Sequence, residues 1–505
     1  MTSLDHNSMA EKPLPSEVSS DAETLPLPLP PQKDGRPPFS LGREVLFTST
    51  LLTCQILAQA GMGQGLAVLH MIGDHFHVTD NGELSWYLAA FSLTTGTFIL
   101  VAGRLGDMYG SKPILIGGLA IYALWSFVAG ASYFLRSSDK LFVIARALQG
   151  LGASLMLPNA VAILGRTYPM GKRKSMVFSL FGAFAPGGYM LGALFTAIPA
   201  QFGIWAWAYF AMGFACLLLA AAAVFTLPPT PPKASPDAGG LDWPGFLLGV
   251  SGLILVNVAW NQGPTVGWAT PYVYVLLILG VLALGSFVVV EKRATQPLVP
   301  IRALNWHIVF VLGAIFLGWS SFSIWLYYLW QFLEKLRDVS PLLATAQNSP
   351  SAVSGFVASV ATGLMIHKVG VPVIMVLAMV AFLVANVLVA TMPVHQTYWT
   401  QTFFSAIIVP WGMDMSFPAA MMMLSAAVPR EHQGIAASLL LTTNNYAMSI
   451  GLGIAGTVLR YTTDETDLFA MCRHAWYVGV GLSALGVVVS VGSLFYERRH
   501  PTLKH

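Results

Sequence analysis

The chain has 505 residues, of which 55% are hydrophobic and only 10% are charged, with a formal net charge of +3. Soluble domains carry about a quarter charged residues, so this composition excludes an ordinary water-soluble enzyme or a nucleic-acid-binding domain and demands a bilayer partner. Three cysteines (Cys54, Cys216 and Cys472) are too few and too scattered for a disulfide framework or a thiolate metal site.

Residues 1–42 are polar and proline-rich, densest at Leu25-Pro26-Leu27-Pro28-Leu29-Pro30-Pro31. They cannot bury enough apolar area to offset ordering entropy and read as a disordered cytoplasmic tail without signal-peptide character. Fourteen apolar spans follow, near 45–69, 84–102, 113–135, 141–164, 175–198, 204–227, 243–260, 271–290, 305–333, 343–366, 371–392, 398–427, 433–459 and 474–496. Each is close to or above the ~20 residues that cross a ~30 Å hydrocarbon core. The seventh, ending on Asn257 and Trp260, is the weakest of them. The expected organisation is a six-helix bundle over 43–227, a proline-rich cytoplasmic linker at 228–242, and two extra helices over 243–290. A second cytoplasmic linker at 291–304, a second six-helix bundle over 305–497 and a tail at 498–505 complete it.

Orientation follows from basic residues, which favour the cytoplasmic side. With a cytoplasmic amino terminus, nineteen of the 26 Lys and Arg fall on inner segments and six on outer ones, leaving Arg146 inside a span. A short charged stretch, Gly103-Arg104-Leu105-Gly106-Asp107-Met108-Tyr109-Gly110-Ser111-Lys112-Pro113, then lies on the inner side as a loop between neighbouring helices. Its glycine spacing returns in Gly363-Leu364-Met365-Ile366-His367-Lys368-Val369-Gly370-Val371-Pro372, with His367 where the first copy has Asp107. The repeat predicts a membrane protein of two related halves.

Charges inside a bilayer are costly, at least ~2.5–3.5 kcal/mol at the centre, and usually serve a cavity. Asp414 stands mid-span between Pro410 and Pro418, and Arg146 shares a helical face with Gln149 and Gly150. A carboxylate exchanges a proton and a guanidinium does not, so Asp414 is the expected proton carrier and Arg146 the fixed charge shaping a cavity. The competing reading ties Asp414 to backbone freed by its prolines, and Arg146 to neighbouring carbonyls. Gln59, Gln64, Gln149, Asn159, Asn348, Asn444 and Asn445 are candidate cavity amides; Gln331 and Gln55 also lie within spans, and all serve equally as helix glue. Trp319, Phe322, Trp325, Tyr327, Tyr328 and Trp330 are expected to face lipid or form an interfacial belt. His70, His75 and His77 around the first outer turn read as surface histidines, since no thiolate or acid pair accompanies them. No phosphate-cradling glycine motif is present, so no cofactor is expected and the driving force is an ion gradient or the solute's own.

The stretch Gly103 to Lys112, with Arg146-Ala147-Leu148-Gln149-Gly150, resembles the major facilitator superfamily, specifically its drug:proton antiporters with fourteen helices. Leu157-Pro158-Asn159-Ala160, Phe178 to Gly188 and Gly412-Met413-Asp414-Met415-Ser416-Phe417-Pro418 are similar to the fungal aminotriazole-resistance and boron-efflux branch. The resemblance implies an all-α polytopic fold of two six-helix bundles plus two central helices, fourteen in total, rocking about a midplane site. It implies that Gly103, Arg104, Asp107, Gly110 and Lys112 latch the cytoplasmic face, with Asp107 also suited to capping a helix start and Arg104 and Lys112 as its partners. Pro186, Gly188 and Gly192 would pack the fifth helix, although the family's Gly-Pro element is displaced there. The first helix lacks the acid common in antiporters. The function expected is proton-coupled export of a xenobiotic, metabolite or borate by a monomer in a fungal plasma membrane. A proton-coupled importer and a non-transporting membrane receptor remain as alternatives.

Overall fold

The computed structural model describes residues 40–78, 80–135, 139–168, 172–230, 242–294, 298, 306–427, 433–464 and 467–499. The expected tails at 1–42 and 498–505, and the linkers at 228–242 and 291–304, fall largely or partly outside them. Among the described residues the chain is helical, with no strand. In chain order the helices are α1 Leu41–Leu66, α2 Leu69–Phe76, α3 Asn81–Tyr109, α4 Ser111–Ala131, α5 Asp139–Thr167, α6 Lys172–Ala200 and α7 Ala206–Thr226. Then come α8 Trp243–Val266, α9 Pro271–Arg293, α10 Trp306–Gln331, α11 Pro341–Asn348, α12 Pro350–Val369 and α13 Val371–Ala390. The last are α14 Gln401–Ala427, α15 Gln433–Thr462 and α16 Leu468–Arg499.

Among the described residues, twelve helical segments are long and apolar enough to cross a membrane, and α3, bent by 47° between Ile99 and Val101, makes a thirteenth. α15 has spanning length, at 30 residues, but Thr442, Thr443, Asn444 and Asn445 make its centre more polar. Two expected spans are interrupted: the first ends at Leu66 and restarts as α2, and the tenth breaks at Ser349 into α11 and α12. Pro350 opens α12, where its missing N–H costs nothing.

α1 lies along α6, α3 and α4 along α5, and α4 along α7. Further on, α10 packs on α15 and α16, α13 on α14 and α16, and α12 on α14. The two sets meet where α3 touches α15 and where α6 touches α11 and α12. α8 pairs with α9 and rests on that seam against α3 and α15. The weak seventh span thereby becomes a full helix to Val266. Its amides are used in a buried knot: Asn261 Nδ2 donates to Asn257 Oδ1 (3.1 Å) and Ser449 Oγ (3.2 Å), and Ser449 Oγ donates to Asn257 Oδ1 (2.9 Å).

Close helix approach has a plain cause at α1 and α6. Gly188 and Gly192 face Ile56 and Ala60, and a Cβ on Gly192 would collide with the Ala60 backbone. Pro186, one turn before, lies against Gly355 of α12 instead.

Candidate functional site

The glycine-rich stretch after the second span is mostly helix. α3 continues through Gly103, Arg104, Gly106 and Asp107 to Tyr109, so Gly110 is the one residue between α3 and α4. Gly110 has φ +93° and ψ 136°, a region closed to side chains with a Cβ. The second copy folds the same way: Gly370, with φ +85° and ψ 149°, separates α12 from α13. Gly103 approaches Ser438 of α15, and Gly106 is pressed against the Asn159 amide. The His367 side chain lies outside the described residues.

Asp107 therefore stands in the last turn of α3 rather than at a helix start. Its carboxylate pairs with Arg166 of α5, Nη2 to Oδ1 at 2.7 Å, a partner that the sequence reading did not name. Lys112 instead caps the end of α7, donating from Nζ to the carbonyls of Val224 (2.8 Å) and Leu227 (2.6 Å). Its backbone N–H donates to Thr230 Oγ1 at 2.8 Å. Arg104 is half-buried in the same corner.

Arg146 is fully buried. Its Nε donates to Tyr87 O (3.0 Å), Nη1 to Gln149 Oε1 (2.8 Å) and Nη2 to Gly61 O (2.7 Å). Its Cζ sits 4.8 Å above the Phe91 ring. Gln149 Nε2 continues to Ser126 Oγ at 2.8 Å, so one guanidinium ties α1, α3, α4 and α5 together. In this conformation it is clamped among two backbone carbonyls and the Gln149 amide oxygen, which is the competing reading of the sequence.

Asp414 occupies the midpoint of α14. Pro410 and Pro418 stand inside the same helix, one turn to either side. The carboxylate faces α12, where Ser359 offers a hydroxyl hydrogen bond. Oδ2 is buried without a hydrogen-bond partner and sits against Gly355, whose other neighbour is Pro186 of α6. Asp414 thus stands where both sets of helices touch. A side chain at 355 would fill the space beside Oδ2, so Gly355 shapes the surroundings of Asp414, a contact that the sequence reading missed.

Several candidate amides are engaged in hydrogen bonds to backbone carbonyls. Gln64 Nε2 donates to Ala208 O of α7 (3.0 Å), and Asn159 Nδ2 donates to Ala102 O of α3 (3.1 Å) and Leu155 O (2.8 Å). Asn348 and Asn445 donate to carbonyls one turn back in their own helices, Ala344 (3.1 Å) and Leu441 (2.9 Å). Gln59 is half-buried beside Gly188. Asn444 is buried, and its Oδ1 has no partner.

The aromatic run of α10 is a correction. Trp319, Phe322, Trp325, Tyr327, Tyr328 and Trp330 are all buried, because α13, α14, α15 and α16 enclose α10. Three indoles find hydroxyl partners: Trp319 on Ser416 Oγ (3.2 Å), Trp325 on Ser405 Oγ (2.6 Å) and Trp330 on Tyr189 Oη (3.0 Å). The last crosses to α6. A Lys335–Asp74 ion pair, 3.8 Å apart, fastens the same outer end to α2.

Of the outer histidines, His70 is buried rather than on the surface, and burial with the nearby Lys335 charge lowers its imidazole from 6.5 to about 3. His75 stacks on Tyr133 at 4.4 Å.

The model of the Major Facilitator Superfamily matches residues 51–373 and 308–505. The chain is 52% identical to the low affinity ammonium transporter of Saccharomyces cerevisiae, over 90% of this chain and 89% of that protein. It is 43% identical to efflux pump terJ of Aspergillus terreus, over 92% and 91% of the two chains. It is 38% identical to the aminotriazole resistance protein of S. cerevisiae, over 89% and 83%. Among solved structures, a POT family transporter in complex with 5-aminolevulinic acid superposes with TM-score 0.68 at 13% identity, over 94% of this chain and 98% of that one.

Proposed function

Because the chain belongs to the major facilitator superfamily, a family of membrane transporters, we propose that it is a proton-coupled secondary transporter exporting a small solute by alternating access. The carrying observation is Asp414: an acid at the midpoint of α14 with a buried, unpartnered oxygen at the contact of α14, α12 and α6. A proton taken up there discharges a group whose exposure changes when the two sets of helices separate, which links protonation to rocking. The division into two six-helix bundles with α8 and α9 between them, and fourteen crossings in all, belongs to the same reading. So do the monomeric state and the plasma membrane location.

Export is supported by the relative named an efflux pump, and the aminotriazole resistance protein fits removal of a toxic solute. Uptake is the second reading, favoured by 52% identity to the low affinity ammonium transporter. Borate remains a substrate to test through the branch the sequence resembles.

A deletion strain carrying the wild-type gene or Asp414→Asn is screened for sensitivity to aminotriazole, azoles, borate and methylammonium. The responsive solute is then followed in membrane vesicles under an imposed pH gradient. Accumulation should collapse with a protonophore and lose its pH dependence in Asp414→Asn. Unchanged pH dependence in that variant rules out Asp414 as the proton carrier, and the sign of accumulation separates export from uptake.

A further inference from the structure

α8 rests on the seam between the two sets of helices, yet its polar ties run to one side. From α15, Tyr446 Oη donates to Leu253 O (3.2 Å), Ser449 Oγ joins the Asn257–Asn261 knot, and Arg460 Nη1 donates to the carbonyls of Pro264 (2.7 Å) and Thr265 (2.9 Å). Between these bonds the helices are in close contact. A Cβ on Gly453 would lie 2.8 Å from the Trp260 carbonyl oxygen, and one on Gly456 would lie 3.0 Å from Pro264 Cβ. Residues 446, 449, 453, 456 and 460 recur at spacings of three and four, so one face of α15 holds α8 over about 21 Å. Elsewhere α15 is fixed to α10: Ser320 Oγ donates to Ala447 O (2.9 Å), and Gly451 lies against the Ser320 backbone. α9 packs chiefly on α8 and follows it.

Toward α3 the contact is of another kind. Among the described residues the interhelical hydrogen bonds of α8 go to α15 and α9, and none to α3. α3 instead presents Gly82, Ala89, Gly96 and Gly103, seven apart and so on one side of the helix. A Cβ on Gly82 would strike the Thr265 side chain of α8, one on Gly96 would lie 2.8 Å from Asn445 Cβ of α15, and one on Gly103 would lie 3.4 Å from Ser438 Oγ. Small residues let backbones approach closely, and a contact without hydrogen bonds parts without leaving polar groups bare in lipid. We infer that α8 and α9 are a moving part of the C-terminal set, carried on α15, and that α3 slides along α8 and α15 when the two sets rock. The inference rests on the alternating-access reading, whereas the motion is measured without transport.

Adjacent residues at the end of α8 supply matched probes. Pro264 faces Gly456 of α15 and Thr265 faces Gly82 of α3, each with 3.0 Å between Cβ positions, within reach of a disulfide after a small shift. In the full-length protein, with the buried native cysteines left in place, the pairs Gly456→Cys with Pro264→Cys and Gly82→Cys with Thr265→Cys are oxidised, and each bond is verified by peptide mass spectrometry. Methylammonium flux should stay within twofold of the reduced protein for the first pair. It should fall at least tenfold for the second and recover with reductant. A block by the first disulfide, or full flux through the second, overturns the inference. Where methylammonium is not carried, nitroxides at the lipid-facing positions Leu279→Cys of α9, Val384→Cys of α13 and Phe214→Cys of α7 decide. Gly96→Trp must push α15 away from α3 and supplies the second conformation. It should change the Leu279–Phe214 and Val384–Phe214 distances together and leave Leu279–Val384 fixed. A changed Leu279–Val384 distance, or no change in any pair, overturns the inference. The expected distances in a protein that carries no solute under a pH gradient keep α8 on α15 and fail the transport reading instead.

Discussion

Arg146→Lys should unfold at a markedly lower temperature than the wild type, although it keeps the charge. The guanidinium serves three acceptors at 3.0, 2.8 and 2.7 Å, on α3, α5 and α1, from a position without solvent. A lysine ammonium is a point donor on a flexible stem and cannot reproduce that fork. It leaves one or two acceptors unserved, and bonds to charged groups contribute about 1.5–3 kcal/mol each, so the loss is roughly 2–5 kcal/mol. For a unit the size of the first seven helices, about 2–4 °C accompanies each kcal/mol, which gives a fall of roughly 5–15 °C. The assay is thermal unfolding of purified protein followed by intrinsic fluorescence, with Arg146→Met as the harsher control. A Lys variant within about 2 °C of the wild type, combined with an altered pH profile of transport, would refute the clamp and restore a cavity role for the charge.

Gly192→Ala should destabilise by about 1–3 kcal/mol, since its Cβ must displace the Ala60 backbone. Gly182→Ala, which meets nothing within 4 Å, should be neutral or stabilising by up to ~1 kcal/mol, and the contrast in Tm is the check. Asp107→Ala removes a partly exposed ion pair and should shift stability by less than ~1 kcal/mol; a several-fold slower transport rate at unchanged Tm would support the latch, and an unchanged rate would remove it. His70 sits near 3 through burial, against an ordinary 6.5, so the unfolded chain binds more protons between those values. Stability should therefore fall as pH drops below 6.5, by about 2 kcal/mol at pH 5. His70→Phe should flatten that slope, and an unchanged acid limb in unfolding titrations would refute it.

The all-helical, multi-span character of the chain was legible because apolar length and basic flanks obey strong rules of bilayer insertion, whereas the expected count of fourteen is not matched by the twelve or thirteen spans among the described residues. The inner corner was only half legible. Gly103, Gly106 and Gly110 look alike in sequence, yet two serve close approach to Ser438 and Asn159 while only Gly110 needs a positive φ. Which glycine ends the helix depends on what lies beside each one, and that is a tertiary fact. Asp107 was misplaced for the same reason, since its partner Arg166 lies 59 residues away in sequence.

The aromatic run of α10 shows a deeper limit. In water, burial and polarity sort the faces of a helix. In a bilayer, lipid tails are as apolar as a packed neighbour, so an apolar side chain carries no mark of which it meets. Polar groups break that degeneracy, because lipid cannot satisfy them. Gln331 and Glu334, three residues apart at the end of an aromatic stretch, were the visible sign that α10 faces protein. The same logic ranks the amides. Those of Gln64 and Asn159 reach carbonyls on other helices and act as ties, whereas among the described residues Asp414 Oδ2 is buried without a hydrogen-bond partner. In an apolar solvent, the unsatisfied polar group is the more informative pointer to function, and on that ground Asp414 ranks above the amides singled out by position.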